Sequence, residues 1–211
     1  MEPHATPRPP EPPHGAADAP DDERTCLKEW AVLCDALAAG DVVAMVRKGG
    51  IREQRAGFSV RHDRFLLYPT YFHEKEGELQ LRFRERLAAS HAAQPPAGSV
   101  RLSLVATVAG VWAVDDLDML RGIEHEHGLA WGAVASRFHY RNRPGVQVVA
   151  VRVASLPAPI DVPEERRYLG CVSWVALDAA VRVRDAVPVL DVAAFDARLE
   201  ALHRALGPPT A

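Results

Sequence analysis

Two stretches of this chain concentrate residues able to do chemistry. The first, Arg47-Lys48-Gly49-Gly50-Ile51-Arg52-Glu53, sets three cations and a carboxylate around a glycine pair. Glycine lets a backbone turn tightly and come close to a ligand. Successive N–H groups at Gly49 and Gly50 can then form an anion nest, with Arg47, Lys48 and Arg52 as countercharges. The plainer alternative is a hairpin turn whose glycines supply positive φ. A phosphate-binding P-loop is excluded, because the GxxxxGK[ST] spacing is missing. The second stretch, Phe65-Leu66-Leu67-Tyr68-Pro69-Thr70-Tyr71-Phe72-His73, ends an apolar run in Thr70 and a histidine. If the two stretches neighbour each other, Glu53 and His73 can act as an acid–base pair while Thr70 and Tyr68 position a water or substrate. The alternative is that Glu53 pairs with an arginine and His73 caps the next element.

Arg137-Phe138-His139-Tyr140-Arg141-Asn142-Arg143 interleaves cations with aromatics, which suits phosphate contact by Arg137 and base stacking by Tyr140. A strand edge or helix end with one aromatic face in the core explains the same pattern. His125-Glu126-His127 is not read as a metal site, since helical residues two apart point to different sides. Gly170-Cys171-Val172-Ser173-Trp174 lacks the GxSxG nucleophile pattern, and Trp174 reads as core. No cofactor motif is present, and neither metal nor cofactor is expected.

The remaining composition is that of an ordinary globular protein, 48% hydrophobic and 25% charged, with a formal net charge of −3. Charge is unevenly placed. Residues 1–24 hold six acids and two cations, whereas residues 47–64 hold six cations and two acids, a local patch able to attract phosphate or to form a solvated surface. Cys26, Cys34 and Cys171 form no CxxC pair, so free, buried thiols are expected. The opening residues lack a basic-then-apolar leader, and no apolar run approaches the ~20 residues a bilayer requires. The expectation is a cytoplasmic protein with no membrane partner. Oligomeric state has no signature here.

These residues must be positioned by elements that periodicity can suggest. Residues 1–23 contain seven prolines and almost no large apolar side chains, and are expected to be a disordered acidic tail. Thr25 is a plausible N-cap of a helix carrying Leu27, Trp30, Ala31, Cys34, Leu37 and Ala38, with Gly40 as its stop and Trp30 in its core. Residues 42–46 read as a strand. Phe58, Val60 and 65–68 read as a hairpin with its tip at 61–64, and Pro69 should end that pairing. A helix over 78–92, a long strand over 100–114 and a helix with Leu117, Leu120 and Ile123 capped by Asp115 or Asp116 follow. Then come a strand over 146–153, a bend at Pro157, Pro159 and Pro163, a strand over 171–177 and a helix over 193–206. Without regular βαβ alternation, the fold class is α+β: one globular domain over 24–206, with a mixed or antiparallel barrel-like sheet, flanking helices and a short flexible end at 207–211.

The blocks Leu27-Lys28-Glu29-Trp30, Arg47-Lys48-Gly49-Gly50-Ile51, Phe65-x-Leu67-x-Pro69-Thr70-x-x-His73, Arg137-Phe138-x-Tyr140 and Gly170-Cys171-x-Ser173-Trp174 together resemble bacterial domain-of-unknown-function family 1802, over residues 26–195. That family implies no particular activity. The order helix–glycine–strand, long strand, short helix, strand with a Leu-Pro bend is also similar to the ASCH and PUA-like small β-barrels. That likeness implies a cleft able to hold RNA, a nucleotide or a modified base. The leading expectation is therefore a binding module for RNA, DNA or a nucleotide-like anion, using Arg47, Lys48, Gly49, Gly50, Arg52, Thr70, Arg137 and Tyr140. The alternatives are a metal-independent hydrolase built on Glu53 and His73, and a protein-partner-binding domain.

Overall fold

The computed structural model describes residues 21–48, 59–170 and 172–210. Their order is β1 (Asp22–Trp30), α1 (Ala31–Ala38), β2 (Ala44–Arg47), β3 (Arg64–Thr70), α2 (Leu81–Ala92), β4 (Ser99–Val114), α3 (Trp131–Phe138), β5 (Val146–Pro163), β6 (Trp174–Arg182), β7 (Val187–Pro188) and α4 (Val192–Leu206), with short 3-10 turns between them. Seven strands form one sheet in the order β2-β5-β4-β3-β1-β6, with β7 paired to β5. The β1–β3 pair is parallel and the other pairs are antiparallel. This is the expected α+β fold with flanking helices, although among the described residues the ladder does not close into a barrel.

The first expected helix is half strand. Thr25 caps nothing: it pairs with Ala176 across the β1–β6 ladder, and only Ala31–Ala38 is helical. Helical spacing from Leu27 onward misled, because β1 is buried on both faces. Cys26 and Leu27 are each fully covered, on opposite sides of the sheet. The same holds in β3, where Phe65 and Leu67 join the core under the helices while Leu66 and Tyr68 join a second core made mainly of strand residues. An alternating strand with both faces buried reads as a continuous apolar run. Burying each such side chain contributes about 1.5–3 kcal/mol, enough for pairing to override local helical preference. The helix does stop as expected, with Gly40 at φ +70, where a Cβ would meet Leu190 at 2.8 Å.

The expected hairpin is absent among the described residues. β3 pairs in parallel with β1 and antiparallel with β4, and residues 59–62 are irregular. Pro69 does not end the strand, since it lies opposite Glu29. β4 pairs with β3 only as far as Leu66, so the missing proline N–H costs no ladder bond on that side. The proline-rich bend lies within β5 and is absorbed by a bulge: Leu102 faces Ile160 and Leu104 faces Ser155. A second bulge lies between Val108 and Gly110, and the Trp112 ring covers Gly110 so closely that a Cβ there would sit 2.7 Å from it. The Trp112 indole N–H donates to Gly207 O at 2.8 Å, and Thr210 N donates to Val111 O at 2.7 Å. Within the end at 207–211, expected to be flexible, Gly207 and Thr210 are thus tied to β4, and Ala211 lies outside the described residues. Among the described residues no helix is long and apolar enough to cross a membrane.

Candidate functional site

Because β1 and β3 run parallel, their C-terminal ends lie side by side, with Glu29 opposite Pro69 and Trp30 opposite Thr70. The Thr70 hydroxyl donates to Glu29 O at 3.1 Å. β2 stands at one end of the sheet path and β6 at the other, yet Arg47, the last residue of β2, reaches across that gap. Its guanidinium donates to Lys28 O (3.1 Å), to the Glu29 carboxylate (3.0 Å) and to the Ser173 hydroxyl just before β6 (3.1 Å). Among the described residues no ladder joins β2 to β6, and side chains bridge the two ends of the sheet there. The Glu29 carboxylate also accepts from the Trp30 N–H at 2.9 Å. A charge 5% exposed needs such partners, because burying it bare would cost several kcal/mol.

At this seam lies a cavity of about 330 Å³. Lys28, Arg47, Lys48 and Arg137 surround it with Glu29, while Trp30, Tyr140, Thr70, Ser136, Val172 and Ser173 complete its wall. Each cation is anchored on backbone carbonyls. Lys28 Nζ donates to Tyr168 O and Gly170 O. Lys48 Nζ donates to Phe138 O, Arg143 O and Gly145 O, all at or beyond the end of α3, where helix carbonyls favour a cation. Arg137 donates to Val46 O at 2.9 Å and lies over the Trp30 ring, 5.2 Å from its centroid. Burial pushes the Lys48 ammonium pKa down, with Arg143 adding to the effect. Burial also lowers that of Arg137, against the opposing pull of Glu29. The turn that carries Tyr140 into the cavity is left-handed at Arg141 and Asn142 (φ 58 and 53).

Of the residues singled out in the sequence, Arg47, Lys48, Thr70, Arg137 and Tyr140 line this one cavity. Gly49, Gly50, Arg52 and Glu53 lie outside the described residues. His73 is exposed, adopts φ 66 and does not line the cavity. Trp174 is half-buried rather than central, packing edge-on against Phe65 and His62 and donating to Ser59 O. Sequence reasoning missed Lys28 and Glu29 and set Ser173 aside. The signal for Glu29 was a lone carboxylate between Leu27 and an apolar run, in a segment whose charge must be paired if buried.

Behind Glu29 and Arg137 a void of about 10 Å³ is shared with His127. His127 Nδ1 accepts from Leu129 N at 3.2 Å, so its proton resides on Nε2, which has no hydrogen-bond partner among the described residues. Burial, then Arg137 and Arg82, push its pKa down to about 4. Its neighbour Glu126 is held by Arg198, with Nε at 2.7 Å.

No curated protein matches the chain. Among solved structures it is similar to a mutant of the ASCH protein of Zymomonas mobilis, at 14% identity and a TM-score of 0.43, over 75% of this chain and 91% of that one. That likeness is too distant to carry over a site. Every residue lining the cavity, from Lys28 to Ser173, falls within residues 26–201, the span matched by the family model described as Domain of unknown function (DUF1802), and the chain belongs to that family.

Proposed function

We propose that this domain binds a nucleotide unit, free or within an RNA or DNA strand, in the cavity at the sheet seam. The observation that carries the reading is the charge of the cavity wall: among the described residues, four cations from β1, β2 and α3 and their flanks face one space with one carboxylate. Fixed on backbone carbonyls, these cations need no rearrangement to present a positive field, and a low-dielectric cleft focuses that field on an anion. The volume suits one small ligand, and Trp30 and Tyr140, the latter 42% exposed, offer ring faces for a base. Hydroxyls of Ser136, Tyr140 and Ser173 supply neutral hydrogen-bonding groups at the same wall.

Fluorescence-anisotropy titration of short single-stranded RNA and DNA, with mononucleotides as competitors, tests this. Binding should weaken as salt rises, because phosphate contacts release counterions. Tyr140→Ala should weaken it by roughly 1–3 kcal/mol through lost stacking. Absence of binding at low salt by both strands and mononucleotides would remove the reading.

A further inference from the structure

An anion pocket needs no carboxylate in its wall, yet Glu29, which pairs Arg47, lines this one together with Trp30 and Tyr140. Resting on the nucleotide reading above, we infer that Glu29 selects the base, and that the base is guanine. A carboxylate offers two lone pairs on each of two oxygens. The fold occupies one on each: Trp30 N donates to Oε1 and Arg47 Nη1 to Oε2. One acceptor site on each oxygen remains, and the two oxygens of a carboxylate are close enough together to receive two adjacent donors. Guanine presents such a pair, its N1–H beside its N2 amine. Adenine and cytosine set an amine beside an unprotonated ring nitrogen, so one carboxylate oxygen would face a lone pair. Uracil flanks its single N–H with carbonyl oxygens, and hypoxanthine keeps N1–H but has only C2–H beside it. The 3.0 Å pair with Arg47 orients the Glu29 carboxylate, which serves the base as an acceptor. A site built to hydrogen-bond particular donors rejects analogues that lack them far more strongly than a shape-matched apolar site does. The surrounding cations supply the positive field for the phosphate, and Trp30 and Tyr140 take the ring face.

The test is isothermal titration calorimetry of the full chain with GMP, IMP, AMP, CMP and UMP, which share ribose and phosphate. GMP should bind at least about tenfold more tightly than IMP or AMP, since the N2 amine distinguishes it from IMP and the donor pair from AMP. In Glu29→Gln the GMP-to-AMP ratio should fall to near one. That ratio is taken within one variant, so a lower melting temperature does not affect it, and if the variant does not fold the wild-type GMP-to-IMP ratio decides. A hexauridylate with and without one internal guanosine separates a strand-borne guanine from a free nucleotide. Equal affinity for all five nucleotides, or an unchanged ratio in Glu29→Gln, overturns guanine selection and leaves nucleotide binding standing. No binding to any nucleotide or strand overturns both.

Discussion

Arg47–Glu29 and Arg101–Asp161 are both arginine–carboxylate pairs between strands, and they do opposite jobs. Arg101 meets Asp161 with two hydrogen bonds of 2.8 Å, the better geometry, and the two residues already face each other in the β4–β5 ladder. Arg47 meets Glu29 with one bond of 3.0 Å, but it joins strands that no ladder joins among the described residues. The side chains of the first pair are 46% and 43% exposed, and those of the second 14% and 4%. The hydrogen bond from Arg101 holds the Asp161 carboxyl below the usual carboxylate range, yet in water the charges are screened and the ladder holds without them. Burial and the lack of a ladder between these two strands among the described residues, rather than bond count, decide which pair matters.

Removing the buried partner should break that comparison most visibly. Glu29→Leu strips Arg47 of its carboxylate and the Trp30 N–H of its acceptor, and should destabilise by about 3–5 kcal/mol in urea unfolding. A loss no greater than that of Arg101→Ala would show that the seam is held by something else. The buried histidine beside the seam gives the next effect. His127 is neutral in the folded chain, with its pKa pushed down to about 4, whereas an unfolded histidine titrates near 6.5. Between those values the unfolded chain binds more protons, so stability falls as pH drops through this window, by up to roughly 3 kcal/mol near pH 4. His127→Gln should flatten that slope; an unchanged slope would place its origin in the carboxylates. Lys48→Met removes one charge from the cavity wall. It should weaken anion binding by roughly 1 kcal/mol at low salt, and by less at high salt, as titrations at two ionic strengths would reveal. Arg101→Ala, the exposed control, should leave the unfolding midpoint indistinguishable from the parent's.

Much of the candidate site was legible residue by residue. Arg137 and Tyr140 were marked by a cation–aromatic interleave, and Arg47, Lys48 and Thr70 by polar groups ending apolar strands. Those signals are local, since they depend on residue type and on neighbours a few positions away. Lys28 gave no such signal, and Glu29 only that of a lone carboxylate ahead of an apolar run, because what brings them to the cavity is the parallel pairing of β1 with β3 and the arrival of Arg47 from a strand at the other end of the sheet. The segment around Thr25 was misread for a related reason. A strand covered on both faces shows no clean alternation, and chance helical spacing then wins.

The sequence by itself determined the element types wherever one face is buried and the other wet, as in α2 and α4, together with the helix stop at Gly40 and the α+β class. Amphipathic periodicity and glycine conformation act over a few residues and need no partner to be read. Tertiary structure alone decided which strands pair, that the ladder stays open between β2 and β6, and that the seam is bridged by Arg47 to leave a charged cavity. These depend on contacts between residues as far apart as Glu29, Arg137 and Ser173, whose meeting is set by total burial and by the pairing of buried charge. No short window of the chain contains either.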